Sequence, residues 1–266
     1  MKYPLSVKLK LAKQSFSLMA ASALCALTCS SAFGQLTFVS SNGLRSASAI
    51  FNVVGGNLQI TLNNISTNDV TTPTGGGGVL TTIFFDLAPT TSLTPVSAML
   101  GLGSVVHFGS NGGGNVGGEW AFASGLIGAP GSAALGASSS GLGLFGSGNF
   151  GGPDLDPPGA VNGLNYGITS AGDNLITGNA QVTGNVPLIQ NSVVFTLSGN
   201  PVFTTIGDYT ISNVSFQYGT SLSEPRDLGI LVPNNVPEPS SLSICALLLI
   251  PLRSRIARHL RRSDAV

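Results

Sequence analysis

Short runs in which apolar and polar residues alternate one for one recur through the middle of this chain. Leu58-Gln59-Ile60-Thr61-Leu62 has the period of two that a half-buried strand requires. Ser192-Val193-Val194-Phe195-Thr196-Leu197-Ser198 puts Val193, Phe195 and Leu197 on one face, and Val214-Ser215-Phe216-Gln217-Tyr218 repeats the pattern. Ile83-Phe84-Phe85-Asp86-Leu87 is apolar on both faces, which predicts a central strand covered from each side. No stretch between the chain ends carries the spacing of an amphipathic helix. Gly55-Gly56 separates residues 49–54 from 57–63 and marks a two-residue hairpin, because glycine reaches positive φ without a Cβ clash. Many short strands punctuated by Gly, Pro, Asn and Thr predict an all-β fold, a jelly-roll-like β-sandwich.

Glycine occupies 36 positions, and 23 of them fall within residues 101–178. Glycine loses more backbone freedom on ordering than any other residue and buries no side chain in return. This stretch therefore reads as long surface loops joining a few short strands, anchored at residues 105–108, at Glu119-Trp120-Ala121-Phe122 and at residues 164–168. A wholly disordered linker is the alternative, with the Ser/Gly run 131–148 as its foremost disordered piece.

Charge is segregated along the chain. Residues 1–34 hold four Lys and no acid, and residues 253–262 hold five Arg and no acid. Between them, residues 35–236 carry Arg45 and Arg226 against nine acids, a formal −7, with no Lys and no Cys. A body of this kind has no basic surface to neutralise phosphates, so nucleic acid is excluded as a partner. The missing Lys also excludes a P-loop and a Schiff-base lysine there, and the missing Cys excludes disulfides.

The two ends read as addresses. Lys2, Lys8, Lys10 and Lys13 precede an apolar run at 16–27 and then Ala32-Phe33-Gly34. That order is an export signal, with small residues for a signal peptidase. It places cleavage between Gly34 and Gln35, so residues 1–34 form the signal peptide, with Sec-type machinery as export partner. Cys25 and Cys29 lie inside it, and lipidation is the alternative; the Leu that a lipoprotein signal carries three residues earlier is replaced by Ser22 and Ala26. At the other end, Pro237-Glu238-Pro239 precedes an apolar segment at 242–252 and then Arg253, Arg255, Arg258, Arg261 and Arg262. The arginines hold the tail cytoplasmic and the preceding body outside. Residues 240–252 span only about 20 Å as a helix, against a bilayer core of ~30 Å, so Ile256, Ala257 and Leu260 extend the segment while arginines snorkel. A short amphipathic surface helix is the alternative.

This tail resembles the PEP-CTERM sorting signal of bacterial exosortase substrates, whose defining mark is Pro-Glu-Pro at this position. The resemblance implies a domain plan: signal peptide 1–34, extracellular all-β domain 35–233, and a PEP-CTERM sorting segment 234–266 with a transmembrane helix. It implies an exosortase-class membrane peptidase as partner, transient membrane anchoring, and final placement at the cell surface or in an exopolysaccharide matrix. Parts of the body are similar to one group of such proteins: residues 62–70, 79–87, Glu119-Trp120-Ala121, 163–168 and 211–225. That group brings no enzymatic activity and no cofactor. The expected function is a structural or adhesive surface protein.

Other chemistry is sparse. Gly141-Leu142-Gly143-Leu144-Phe145-Gly146 matches a dinucleotide-binding fingerprint by letter, but Ser147-Gly148-Asn149 and Pro153 after it cannot start the helix that site needs. His107 stands alone between the sorting segments, without partners for zinc, and no G-x-S-x-G accompanies it; it reads as a strand residue. Asp154 and Asp156 mark a turn or a weak Ca²⁺ site. Two alternatives remain: a carbohydrate-binding module stacking sugars on Trp120, Tyr166 and Tyr218, and a secreted glycoside hydrolase using Glu119 with Asp154 or Asp156, in which paired carboxyls need a rigid frame. The body carboxylates are otherwise expected to be exposed turn residues titrating near ~4.

Overall fold

The structure, a computed structural model, describes residues 34–71, 78–157, 159, 161–174 and 185–233. Its described part is all β apart from four three-residue 3-10 turns. In chain order the strands are β1 Leu36–Ser41, β2 Ser46–Val54, β3 Asn57–Asn64, β4 Leu80–Ala88, β5 Ser92–Leu100, β6 Val105–His107 and β7 Ala121–Ser124. They continue as β8 Leu135–Ser138, β9 Gly167–Thr169, β10 Leu188–Gln190, β11 Ser192–Asn200, β12 Thr210–Tyr218, β13 Arg226–Leu228 and β14 Ile230–Val232.

Two sheets form. The first has the order β14-β1-β2-β3-β11-β5 and is antiparallel throughout. The second runs β13-β12-β4-β9-β10-β6, with β8 also paired to β4 and β7 to β8; β9 and β10 run parallel. The β2–β3 hairpin closes on Gly55 and Gly56, at φ 58° and 78°, and Val54 faces Asn57. Positive φ at both positions gives the turn a twist that matches the flanking strands.

One hydrophobic core draws on both sheets, which lie face to face as a sandwich. Alternation does the sorting: β3 buries Leu58, Ile60 and Leu62 and leaves Asn57, Gln59 and Thr61 half-buried on the other face. Across the core, the Phe51 ring of β2 meets Phe85 of β4 edge-on at 5.3 Å, and Phe38 of β1 meets Phe51 at 5.7 Å. Strand β4 is covered on both faces, as its double-sided apolarity predicts. Ile83, Phe85 and Leu87 face the main core. Phe84 points the other way, into a smaller cluster with Ala121, Ala129, Ala133 and Phe145.

That smaller cluster decides against the disordered-linker alternative. The run 131–148 contains β8, all four residues of which are buried, and Ser139 and Ser140 are buried after it. Its small side chains are the reason. A Cβ at Gly136 would lie 2.9 Å from the Phe145 ring and 3.1 Å from the Ile83 carbonyl oxygen. Lack of a side chain here permits close packing.

Candidate functional site

Three places test the sequence expectations: the end of the body that leads to the tail, the buried acid at Glu119, and the aromatic rings.

At the first, the chain crosses between sheets. Residues of β13 pair with β12 in the second sheet, with Gln217 opposite Arg226; those of β14 pair with β1 in the first, with Thr37 opposite Val232. Gly229 is the corner. Its N–H donates to the Val214 carbonyl at 2.8 Å, and a Cβ there would stand 2.9 Å from Val214 Cγ1. Asp227 fastens the corner to the β1–β2 turn: Arg45 Nε donates to Oδ2 at 3.2 Å and Asn42 Nδ2 to Oδ1 at 2.9 Å. The Arg45 guanidinium also sits 5.4 Å from the Tyr218 ring centre. Both charged side chains are largely buried, so this pair is shielded from the solvent that weakens surface ion pairs. Gln35 and Gly34 begin the described chain beside this strand end, Gln35 exposed and Gly34 half-buried. Pro237, Glu238, Pro239 and the five tail arginines lie outside the described residues, as do residues 1–33 of the export signal. Among the described residues no helix is long and apolar enough to cross a membrane.

A polar side chain that the sequence reading passed over organises the neighbouring loop. Gln217 is fully buried, and its Nε2 lies 3.0–3.2 Å from the carbonyl oxygens of Tyr218, Ser221, Glu224 and Pro225. Glu224 closes the same loop by accepting from the backbone N–H groups of Thr220 and Ser221. The alternation hid it: Gln217 holds a polar position in Val214–Tyr218 that reads as solvent-facing, and only the hydrogen bonds of the folded loop account for its burial.

Glu119 departs from expectation. It is only 4% exposed, in a 3-10 turn (Gly117–Glu119) ahead of β7, not at an open turn. Its Oε1 accepts from the backbone N–H of Leu155 at 2.5 Å and of Asp156 at 3.1 Å, which pins the Pro-rich loop. Burial raises its pKa above the usual carboxylate value; the two N–H donors oppose that, and the charges of Asp154 and Asp156 add to it. Tyr166 shares this environment, donating its O–H to the Ser110 carbonyl at 2.9 Å, and burial with the nearby Glu119 and Asp156 pushes it up to about 12. Asp156 accepts from Asn165 Nδ2. The structure thus brings Glu119, Asp154 and Asp156 into one electrostatic neighbourhood. One oxygen of the Glu119 carboxyl, Oε1, takes both backbone donors there.

The raised pKa gives a signed pH dependence. A carboxyl that holds its proton more tightly folded than unfolded contributes stability that is fully present below the unfolded pKa of ~4.3 and is lost as pH rises through the folded value. Glu119→Gln keeps an acceptor for Leu155 and Asp156 and carries no charge. Denaturation midpoints of parent and variant should therefore lie close together near ~pH 4, with the variant gaining on the parent toward ~pH 7. A gap that stays constant with pH would show that Glu119 is not held in a charge-averse environment.

The three rings offered for sugar stacking are all interior. Trp120, Tyr166 and Tyr218 have no exposed surface. Trp120 packs 4.9 Å from Phe195, and Tyr218 lies under Arg45. No row of these rings faces solvent, so they cannot form a stacking platform. His107 sits in β6 opposite Leu188, with Nε2 3.1 Å from Gln190 Oε1. The Gly141–Gly146 letters fall in a turn that includes Leu142 at φ 49° and Gly143 at φ 72°, and no helix follows. Among the described residues, no group of three His, Cys, Asp or Glu side chains is arranged to hold a metal ion.

Comparison with family models, curated proteins and solved structures finds no match to this chain.

Proposed function

We propose that this is an exported structural or adhesive protein of the cell surface or extracellular matrix, sorted by its C-terminal tail. The observation that carries the reading is the order Pro237-Glu238-Pro239, apolar segment, then five arginines, at the opposite end from an export signal. The partners are signal peptidase at Gly34/Gln35 and an exosortase-class membrane peptidase at the tail. Exopolysaccharide is the surrounding matrix, and the body is a jelly-roll-like sandwich without catalytic duty. Two features of the body support it. Only residues 233–236 separate the end of β14 from Pro237, a reach of at most ~14 Å, so a processing enzyme would work close against a folded domain. The β13–β14 run before that link pairs with one sheet through each strand and is held by Asp227 of β13, which suits an attachment point.

Glu238→Ala tests the reading. The variant should remain membrane-bound and full length, while the parent is shortened and reaches the surface. Both are followed by fractionation and by mass spectrometry of the two termini. A Glu238→Ala protein that matures like the parent would make the motif incidental. Lipid found on Cys25 or Cys29 would replace the signal-peptidase assignment.

A further inference from the structure

An asparagine followed by glycine can lose its side-chain amide without an enzyme, because glycine has no Cβ to keep its nitrogen away from the asparagine carboxamide. The chain has three such pairs, Asn42-Gly43, Asn111-Gly112 and Asn162-Gly163, and all three asparagines are exposed. Letters and exposure do not separate them. Hydrogen bonding does.

Asn42 is held at both ends of its carboxamide. Its Oδ1 accepts from the N–H groups of Leu44 at 3.1 Å and Arg45 at 2.8 Å, and its Nδ2 donates to Asp227 Oδ1 at 2.9 Å. Bringing Cγ onto the Gly43 nitrogen has to give these bonds up. At Asn111 the Oδ1 accepts from Gly113 N–H at 3.0 Å, and the attacking group itself, Gly112 N–H, donates to Ser110 Oγ at 3.2 Å. Leu155 also crowds Gly112, where an added Cβ would stand 3.1 Å from Cδ1. Asn162 has none of this. Among the described residues no hydrogen bond ties its carboxamide or the Gly163 nitrogen, and nothing lies within 4 Å of a Cβ built on Gly163. The backbone around it is fixed all the same: Asn165 N–H donates to the Asn162 carbonyl at 3.1 Å, and Gly167 N–H to that of Leu164 at 2.9 Å.

We propose that Asn162 is a site of spontaneous deamidation in the folded protein, and that the fold protects the other two pairs. Solvent base takes the Gly163 N–H proton, the nitrogen bonds to Asn162 Cγ, and the amide nitrogen leaves as ammonia. Water then opens the cyclic imide at either carbonyl, leaving aspartate or isoaspartate at position 162. Both products add a carboxylate to a body that already sets nine acids against two arginines. In the isoaspartate the main chain runs through the former side chain and is one methylene longer. The carbonyl oxygen that accepts from Asn165 N–H then belongs to a free carboxylate, outside the main chain. Asn165 is also the donor to Asp156, so the modification acts on the turn that braces the Pro-rich loop and leads into β9.

The test follows the purified full chain through incubation at mildly alkaline pH, folded in one arm and unfolded in guanidinium chloride in the other. Chymotrypsin makes the peptides, since residues 35–236 offer trypsin only Arg45 and Arg226. Mass spectrometry reports the mass gain of deamidation at each asparagine, and electron-transfer fragmentation tells isoaspartate from aspartate. In the folded arm Asn162 should convert faster than Asn111 and at least about tenfold faster than Asn42, the margin that hydrogen bonds to the carboxamide impose on its rotation. In the unfolded arm the three rates should draw together, because the reacting dipeptide is the same in each. Asn162→Gln, which would need a larger ring, should stay unmodified at that position and keep the parent's far-UV spectrum. Asn42 or Asn111 keeping pace with Asn162 in the folded protein would overturn the proposal, as would an Asn162 that leads by the same factor in guanidinium chloride. An Asn162 that converts only when the chain is unfolded would overturn it as well.

Discussion

Trp120→Ala is expected to destabilise the body by about 3–5 kcal/mol, enough to lower its Tm by roughly 10 °C. The indole is fully buried at the start of β7 in the second sheet, and its ring lies 4.9 Å from Phe195 on β11 of the first. Phe195 in turn sits 5.2 Å from Phe150, and Phe150 6.4 Å from Phe122. Truncation therefore empties a volume lined by rings from both sheets, and strands held in two ladders cannot easily close over it. Trp120→Phe should lose much less. It keeps most of the ring contact and removes an indole N–H that has no hydrogen-bond partner in the structure, a group whose burial already opposes folding. The comparison is made on denaturant midpoints followed by far-UV circular dichroism, since Trp120 is the chain's one tryptophan. An unchanged midpoint for Trp120→Ala would mean that the ring does not tie the sheets together.

Gly118→Ala should have a comparable effect for a different reason. An added Cβ would lie 2.0 Å from the Pro153 carbonyl oxygen and 2.5 Å from its carbon. Both are backbone atoms, so no side-chain rotation relieves the overlap. At Gly117 the added atom would fall 2.3 Å from the Gly151 carbonyl oxygen, and at Gly152 it would fall 2.7 Å from the Gly117 nitrogen. Two glycine pairs thus lie backbone against backbone, and that contact holds the Leu155 and Asp156 N–H groups where Glu119 accepts them. Overpacking of this kind costs ~3 kcal/mol when the chain cannot shift. Gly113→Ala, on the same loop with nothing near its added Cβ, is the control for backbone strain alone, because Gly113 has φ 67°. Gly118 lacks a positive φ, so its loss reads the crossing alone, and a Gly118→Ala midpoint equal to the parent's would mean that the crossing does not set the packing here.

Where a strand shows its period in its own residues, the sequence was enough to find it. Leu58–Leu62 and Val193–Leu197 alternate because one face meets the core, whereas Val214–Tyr218 alternates yet is buried on both faces, which its letters do not show; Gly55-Gly56 closes its hairpin through local φ preference alone. The double-sided apolarity of residues 83–87 was likewise readable, since each face must meet something apolar. The tail and leader readings also come from sequence order, and they concern residues outside the described fold.

What tertiary structure alone decided is where weak local signals met. Glycine reads as loss of entropy when a segment is considered by itself; only the crossing of 117–118 over 151–153 shows that the glycines are there for backbone contact. Small residues in 131–148 look too poor to fold, yet β4 needs a thin strand to cover Phe84. Glu119 looked like a turn acid because nothing in its neighbours announces that Leu155 and Asp156, 36 and 37 residues later, donate to it. Trp120, Tyr166 and Tyr218 are equally suited by chemistry to a sugar or to a core, and burial is a property of the whole packing. The pairing of Arg45 with Asp227 across 182 residues, and the corner at Gly229 that joins the sheets, follow the same rule. Periodicity is a local property that a strand carries within itself, whereas long-range contact depends on which faces the complete chain brings together.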